Sequence, residues 1–210
     1  MDGGSRLREA AGHFEAYVET LARLCRTTEA TDGTGARLPL GQAIAWVQHA
    51  ARTTHACGNT VMFVGNGGSA AIASHCATDW ARTAGLRTRT FSDAAALTCF
   101  GNDFGYEEVF ARQVALHARP GDLLVAISSS GRSMNIRNAA EAARAQGCAV
   151  ATLSGFAADN PLRGMGDLNL YVASAEYGFV ELAHQTICHA VLDLGMGWQP
   201  AAATASAVTA

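Results

Sequence analysis

The chain has 210 residues, of which 49% are hydrophobic and 16% charged, with a formal net charge of -3 at pH 7. One domain of ordinary size with ample apolar material for a core is expected, which excludes a disordered or collagen-like chain and argues against a nucleic-acid binder that works by neutralising phosphates. All 15 basic residues are Arg, so a phosphate-loop lysine and a Schiff-base lysine are both excluded, and any phosphate must be held by backbone N–H groups, hydroxyls or Arg.

The first residues mix acidic groups with apolar ones and contain no uninterrupted apolar segment, so no secretory leader is expected. No window of about 18 apolar residues occurs, so neither a membrane span nor a membrane partner is expected and the protein reads as cytoplasmic. Residues 7–26 carry Phe14, Val18, Leu21, Leu24 and Cys25 at helical spacing, and 27–39 breaks the pattern with Gly, Thr and Pro. A second amphipathic helix is predicted over 40–56, with Ile44, Val47 and Ala51 on one face. Neither helix holds a reactive cluster, so residues 1–58 read as packing or oligomerisation helices.

From residue 60 short apolar runs alternate with helical segments. Strands are predicted at 60–65, 86–91, 122–127, 148–155 and 167–173, with helices after the first and third of them and a closing helix over 179–197. Continuously apolar strands separated by helices indicate an α/β domain, here 59–197, with a parallel sheet covered on both faces. The low-complexity stretch 198–210 reads as a disordered tail. Six scattered cysteines form no C-x-x-C pair, and most sit in apolar runs as reduced core residues.

Two loops carry the first chemical signal. One strand runs into Gly65-Asn66-Gly67-Gly68-Ser69 and another into Ser128-Ser129-Ser130-Gly131-Arg132-Ser133, each followed by a helix. In an open parallel sheet ligands bind at this junction, where free N–H groups and the helix dipole point. A single such loop is an ordinary turn with a Ser cap; two of them point to a small phosphorylated ligand. The first loop lacks the G-x-G-x-x-G spacing, which argues against a nicotinamide cofactor.

The second signal is a His and carboxylate set. His75 and Asp79 share a face of the helix after the first loop, and Glu181, Gln185 and His189 recur at four-residue spacing on the last helix, with His184 beside them. One carboxylate and one His from each helix make a four-ligand N/O set suited to a divalent metal such as zinc. Glu181 and His189 are separated by about 12 Å of helical rise, so they can meet at one ion only if Glu181 opens the helix and His189 leans back towards it.

Together, GNGGSAAIASH, GNDFGYEEVF, ISSSGRS and the closing E-x-x-H-x-x-x-x-H resemble the sugar isomerase (SIS) domain family, and within it the phosphoheptose isomerases, over roughly residues 10–197. The resemblance implies a three-layer, doubly wound, flavodoxin-like parallel sheet with an N-terminal helical extension. It also implies a homotetramer with active sites between subunits. By position, Asn66, Gly67, Gly68 and Ser69 match the first substrate loop, Asn102 and Asp103 a substrate-contacting pair, and Ser128, Ser129, Ser130 and Ser133 the residues that hold the sugar phosphate. His75 and His189 match metal ligands. The chain departs from the family pattern at Asp79, where Glu is usual, and at Glu181, where Gln is usual.

The implied reaction is an aldose–ketose exchange, sedoheptulose 7-phosphate to the D-glycero-D-manno-heptose 7-phosphate, through an enediol with metal assistance. It needs a base near the C–H, an acid at the carbonyl oxygen and stabilisation of the oxyanion. Asp79 or Glu181 is assigned the base, with Asp79 preferred, and His189 the acid; His75, Asp79, Glu181 and His189 are the candidate zinc ligands. Two alternatives stand beside this reading. One is an isomerase for another ketose phosphate, such as an octulose phosphate, in specialised biosynthesis; the other is a non-catalytic SIS protein that binds a partner protein.

Overall fold

The computed structural model describes residues 3–200, with side chains from residue 10 onward; residues 201–210 of the expected tail lie outside the described residues. Helix α1 spans Gly3–Arg26 and α2 Leu40–Ala56. Between them the stretch expected to be only a break forms β1 (Glu29–Asp32) and β2 (Arg37–Leu38), an antiparallel pair. The Asp32 carboxylate accepts the N–H groups of Thr34 and Ala36 and so closes the turn between them. Within β1 only Ala30 is buried, so the segment has neither an apolar run nor the alternation that would mark a strand.

The remaining strands are β3 (Val61–Val64), β4 (Thr88–Thr90), β5 (Leu123–Ser128), β6 (Ala149–Ser154) and β7 (Leu168–Tyr171). The sheet order is β2-β1-β7-β6-β5-β3-β4. From β7 to β4 every pair is parallel, as expected. The correction lies at one edge, where β1 pairs antiparallel with β7 and makes the sheet mixed. Every residue of β3, β5 and β7 is buried, which is why these strands read as largely apolar runs, interrupted only by Asn169 in β7 and by Ser128 at the end of β5.

Helices cover both faces. Helix α3 (Gly68–Ala84) and α7 (Tyr177–Gly195) join α1 and α2 on one side, where Leu24, Val47, Trp80 and Val191 share a core. On the other side α4 (Ala94–Phe104), α5 (Ala111–His117) and α6 (Met134–Ala145) bury Phe110, Val114 and Ile136 against the sheet. The Trp80 ring meets Phe63 edge-on at 5.2 Å and fixes α3 on β3. The strand order doubles back between β3 and β5: the chain leaves β3 towards one edge, then returns to build β5, β6 and β7 on the other side. The crevice at the carboxyl ends of these two strands is where such sheets bind ligands.

Candidate active site

That crevice holds a cavity of about 210 Å³, lined by Asn66–Ser69, Ile127–Ser130, Ser133, Tyr177 and Glu181. Gly67 turns the first loop at φ 52°, a left-handed conformation open to glycine at little cost, and α3 starts at the next residue. Ser133 immediately precedes α6 and makes no capping bond, so its hydroxyl is not spent on its own helix. Two helices of more than eight residues thus direct their N-terminal N–H groups and dipoles at one cavity. The Ser128 hydroxyl donates to Ser133 Oγ at 3.3 Å, and the Arg132 N–H donates to Ser130 Oγ at 3.3 Å. Ser129 Oγ is buried and has no hydrogen-bond partner among the described residues. Ser129 is a lining residue of the cavity, and a buried hydroxyl without a partner is one that an acceptor can satisfy.

Asn66 is an anchor of this wall. Its amide exchanges hydrogen bonds of 2.8 and 3.0 Å with the Asn135 amide, and the Tyr106 hydroxyl donates to Asn66 Oδ1 at 3.0 Å. Asn135 and Tyr106 escape the sequence reading because neither lies in a Gly- or Ser-rich loop; the fold brings them in from α6 and from the short turn after α4. Tyr177 also escapes it as a wall residue, although it opens α7; its ring packs edge-on against Phe156 at 4.8 Å. Asn102 and Asp103 lie exposed on the last turn of α4, where the Asn102 amide donates to the Asp103 carboxylate at 2.9 Å. They are not part of the cavity wall within one protomer.

Farther along, α3 and α7 bring together a second group. The potential donor atoms of His75, Asp79 and His189 all lie within 4.8 Å of one another. His75 Nε2 and His189 Nε2 are 3.2 Å apart, and Asp79 Oδ2 stands 3.6 Å from His189 Nδ1. Two imidazole nitrogens bound to one tetrahedral ion stand about 3.3 Å apart, so the pair fits a shared divalent cation. Asp79 Oδ1 accepts from Arg82 Nη2 and Thr83 Oγ1, each at 3.2 Å. Partial burial pushes the Asp79 carboxyl up, but the hydrogen bonds from Arg82 and Thr83 and the charges of Arg82 and His189 outweigh it and hold the group below the ordinary carboxylate range.

Glu181 is not with this trio. Helix α7 begins at Tyr177, two residues earlier than expected, so Glu181 does open the helix, yet its carboxylate turns to the cavity and lies against Gly68. Any side chain at position 68 would collide with it. The expected four-ligand set is therefore divided in one protomer: three donors together, and the fourth two turns away, about 12 Å along α7. His184, between the two levels, faces the core; its Nε2 lies 3.1 Å from the Ser154 carbonyl, and burial pushes its pKa down to about 4.

The profile of the SIS domain family matches residues 16–155. The phosphoheptose isomerase of Geobacter sp. (strain M21) is 37% identical over 143 residues, which is 65% of this chain and 74% of the relative. That of Aliarcobacter butzleri is 35% identical over 188 residues, 85% of this chain and 93% of the relative. Among solved structures, the phosphoheptose isomerase of Neisseria gonorrhoeae superposes with a TM-score of 0.75 at 27% identity, covering 90% of this chain and 98% of that one. Among the described residues, no helix is long and apolar enough to cross a membrane. With the flavodoxin-like strand order, the serine-lined crevice and these similarities in hand, the chain belongs to the SIS domain family, on its phosphoheptose isomerase branch.

Proposed function

We propose that the protein is an aldose–ketose isomerase that interconverts sedoheptulose 7-phosphate and D-glycero-D-manno-heptose 7-phosphate through an enediol. The observation that carries this reading is the crevice between β3 and β5, where hydroxyls and two helix N-termini converge without a single lysine. Ser128, Ser129, Ser130 and Ser133 hold the phosphate with neutral donors, and the backbone of Asn66, Gly67, Gly68 and Ser69 lines the sugar chain. Anchored at its phosphate end, the substrate presents its carbonyl end at a fixed distance, and this remote binding energy serves the chemistry.

His75, Asp79 and His189 hold a divalent metal, zinc by their donor set; once bound, it supplies stabilisation of the oxyanion as the carbonyl becomes an enediol. His189 Nε2, which meets His75 Nε2, is the ligand atom of that ring, and while it holds a metal it has no proton to give, so the acid and ligand roles expected of His189 exclude one another at that nitrogen. A carboxylate, Asp79 or Glu181, moves the proton between the two carbons. The two-turn separation of Glu181 from the trio supports an active site assembled from two copies, the cavity of one facing the trio of another, with Asn102 and Asp103 reaching substrate there. A homotetramer accounts for this and for the exposed apolar face of α1, where Phe14 is 69% accessible. The residues 1–58 supply that contact, 59–197 the sugar-phosphate domain. A charged sugar phosphate is a cytoplasmic metabolite, and the enzyme is placed there with it.

The test is an NMR time course with sedoheptulose 7-phosphate in heavy water, before and after chelation. Appearance of an aldoheptose 7-phosphate that chelation abolishes and added zinc restores is the expected result. No aldose with metal restored sinks the reading.

A further inference from the structure

We infer that Tyr177 is a specificity-determining residue of the cavity, the ring against which the C–H edge of the sugar chain lies, and that Phe156 is a positioning residue that holds this ring in place. The inference deepens the isomerase reading above and rests on it for the class of ligand.

Serine hydroxyls, glycine backbone, the Asn66 amide and the Glu181 carboxylate make up most of the cavity wall. Among the described residues only Ile127 and Tyr177 bring large apolar side chains to it, and Ile127 is fully buried, so the accessible apolar surface is the Tyr177 ring. A phosphorylated sugar carries a matching mixture. Its anionic end suits hydroxyls and helix N-termini, and its carbon chain presents an edge of C–H groups between the hydroxyls. An aromatic ring with a polar tip can cover such an edge while its own hydroxyl stays in water. Tyr177 stands one helical turn before Glu181, so one face of α7 carries both into the wall.

Two aromatic residues open α7, and the fold treats them differently. Phe179 is buried and stacks on Tyr17 of α1 at 4.4 Å, as a core residue does. Tyr177 is 61% exposed. This exposed ring nevertheless has a support, because Phe156 meets it edge-on at 4.8 Å. Phe156 has a backbone φ of 59° and is the one residue other than glycine with a positive φ among the described residues. That conformation crowds a residue with a Cβ and persists only where the surroundings impose it. Here they do: the Phe156 N–H donates to the Ser174 carbonyl at 2.7 Å, and the Tyr171 hydroxyl donates to the Phe156 carbonyl at 2.8 Å. Both bonds tie the loop after β6 to the segment that leads from β7 into α7. The strained residue thus sits directly behind the cavity wall and fixes the one ring in it. Strain of this kind gathers at ligand sites, where it buttresses a group that must be in place before the ligand arrives.

The experiment measures binding of sedoheptulose 7-phosphate and of inorganic phosphate by calorimetry. It uses metal-loaded full-length wild type, Tyr177→Phe, Tyr177→Ala, Phe156→Gly and the Tyr177→Ala/Phe156→Gly double variant. Tyr177 is exposed, so its variants should fold. Tyr177→Ala is expected to lose about tenfold in sugar-phosphate affinity, the scale of one aromatic contact, and to bind inorganic phosphate within about twofold of wild type. Tyr177→Phe keeps the ring and should stay within about threefold for both ligands. Phe156→Gly accepts the left-handed backbone; it should lose about threefold alone and nothing further beside Tyr177→Ala, because it acts through that ring. Equal losses for Tyr177→Phe and Tyr177→Ala give the effect to the hydroxyl and overturn the role of the ring. So does a Tyr177→Ala that binds the sugar phosphate as wild type does but changes its oligomeric state in analytical ultracentrifugation, which makes the ring a subunit contact. Additive losses in the double variant overturn the positioning role of Phe156. Calorimetry needs no turnover, so a wild type that binds the sugar phosphate without converting it overturns the isomerase reading alone, and the Phe and Ala variants still decide on Tyr177. A wild type that does not bind the sugar phosphate overturns both.

Discussion

At the N-terminal end of α3 the protein faces its cavity with serine hydroxyls, glycine backbone and two helix dipoles; two turns farther along, the same pair of helices presents two imidazoles and a carboxylate. The first end is built mainly from neutral hydroxyls and backbone groups, with Glu181 at its wall, and the second from groups whose charge and ligation respond to conditions. The contrast explains why neither end alone looks like a complete catalyst. Binding a phosphate dianion with neutral donors leaves Glu181 as the one charged side chain of the cavity wall among the described residues. Gathering the imidazoles elsewhere keeps their nitrogens from being tied up by the phosphate.

Removing the second end should have the largest effect. His75→Ala and His189→Ala each delete one donor of the trio. Metal content by mass spectrometry should fall from one ion per chain to background, and turnover by about a thousandfold, since a metal contributes several kcal/mol to oxyanion stabilisation. Phosphate affinity at the serine end should stay within a factor of about three. If the alanine variants keep full metal content and turnover, the trio is a surface cluster and the division into two ends fails.

The separation between the ends is maintained by α7, and His184 ties α7 to the end of β6 through the Ser154 carbonyl. Its pKa is pushed down to about 4 by burial, against 6.5 ordinarily. The sign follows from linkage: above pH 6.5 both folded and unfolded states hold a neutral ring, and stability is at its full value. Between pH 6.5 and 4 the unfolded chain takes up a proton that the folded one refuses, so stability falls, by about 3 kcal/mol across the interval. Thermal melts from pH 7 to pH 4 should show this loss, and His184→Gln should be less stable at pH 7 with a flatter dependence. An unchanged slope in the variant removes His184 from the account.

Gly68→Ala probes the junction of the two helices. A methyl group there collides first with the Glu181 carboxylate, which supplies its three nearest atoms, so the cost falls mainly on one flexible side chain. Displacement of a reacting group by about 1 Å costs on the order of a hundredfold in rate. Turnover should fall by that much while the melting temperature changes little. A large drop in stability with unchanged turnover would mean that the contact is structural.

How much of this was legible in the sequence depends on how locally each feature is encoded. Strands β3, β5, β6 and β7 announce themselves because burial on both faces demands mostly apolar residues, with Thr152 and Asn169 tolerated by bonding to each other. The edge strand β1 does not: with Ala30 alone buried, what makes it a strand is the neighbouring β7. Helices α4 and α5 left no clear period because α4 has no fully buried residue and α5 has only seven residues. At the site, both Gly/Ser loops were legible, since turn chemistry and phosphate chemistry use the same residues. The contacts of Asn66 with Asn135 and Tyr106 were not, because they join segments about 70 and 40 positions apart. The rise between Glu181 and His189 sets a condition for the four donors to converge, that Glu181 open the helix and His189 lean back; within one protomer Glu181 lies in the first turns of α7, at the cavity, and His75, Asp79 and His189 group without it.

The smallest effect is the most diagnostic for the serine end. Ser129 Oγ is buried with no partner, so the empty protein carries the cost of a dehydrated hydroxyl. Replacing it by Ala removes that cost and should raise the stability of the ligand-free protein by about 1 kcal/mol, a rise of about 2–4 °C in melting temperature. The same change deletes a hydrogen bond to a charged phosphate, worth about 1.5–3 kcal/mol, and should weaken sugar-phosphate binding by at least about tenfold. A structural serine gives the opposite sign for stability, and an idle one gives no change in affinity. Opposite movements of melting temperature and affinity in Ser129→Ala therefore separate a hydroxyl held in reserve for phosphate from one that merely fills the wall.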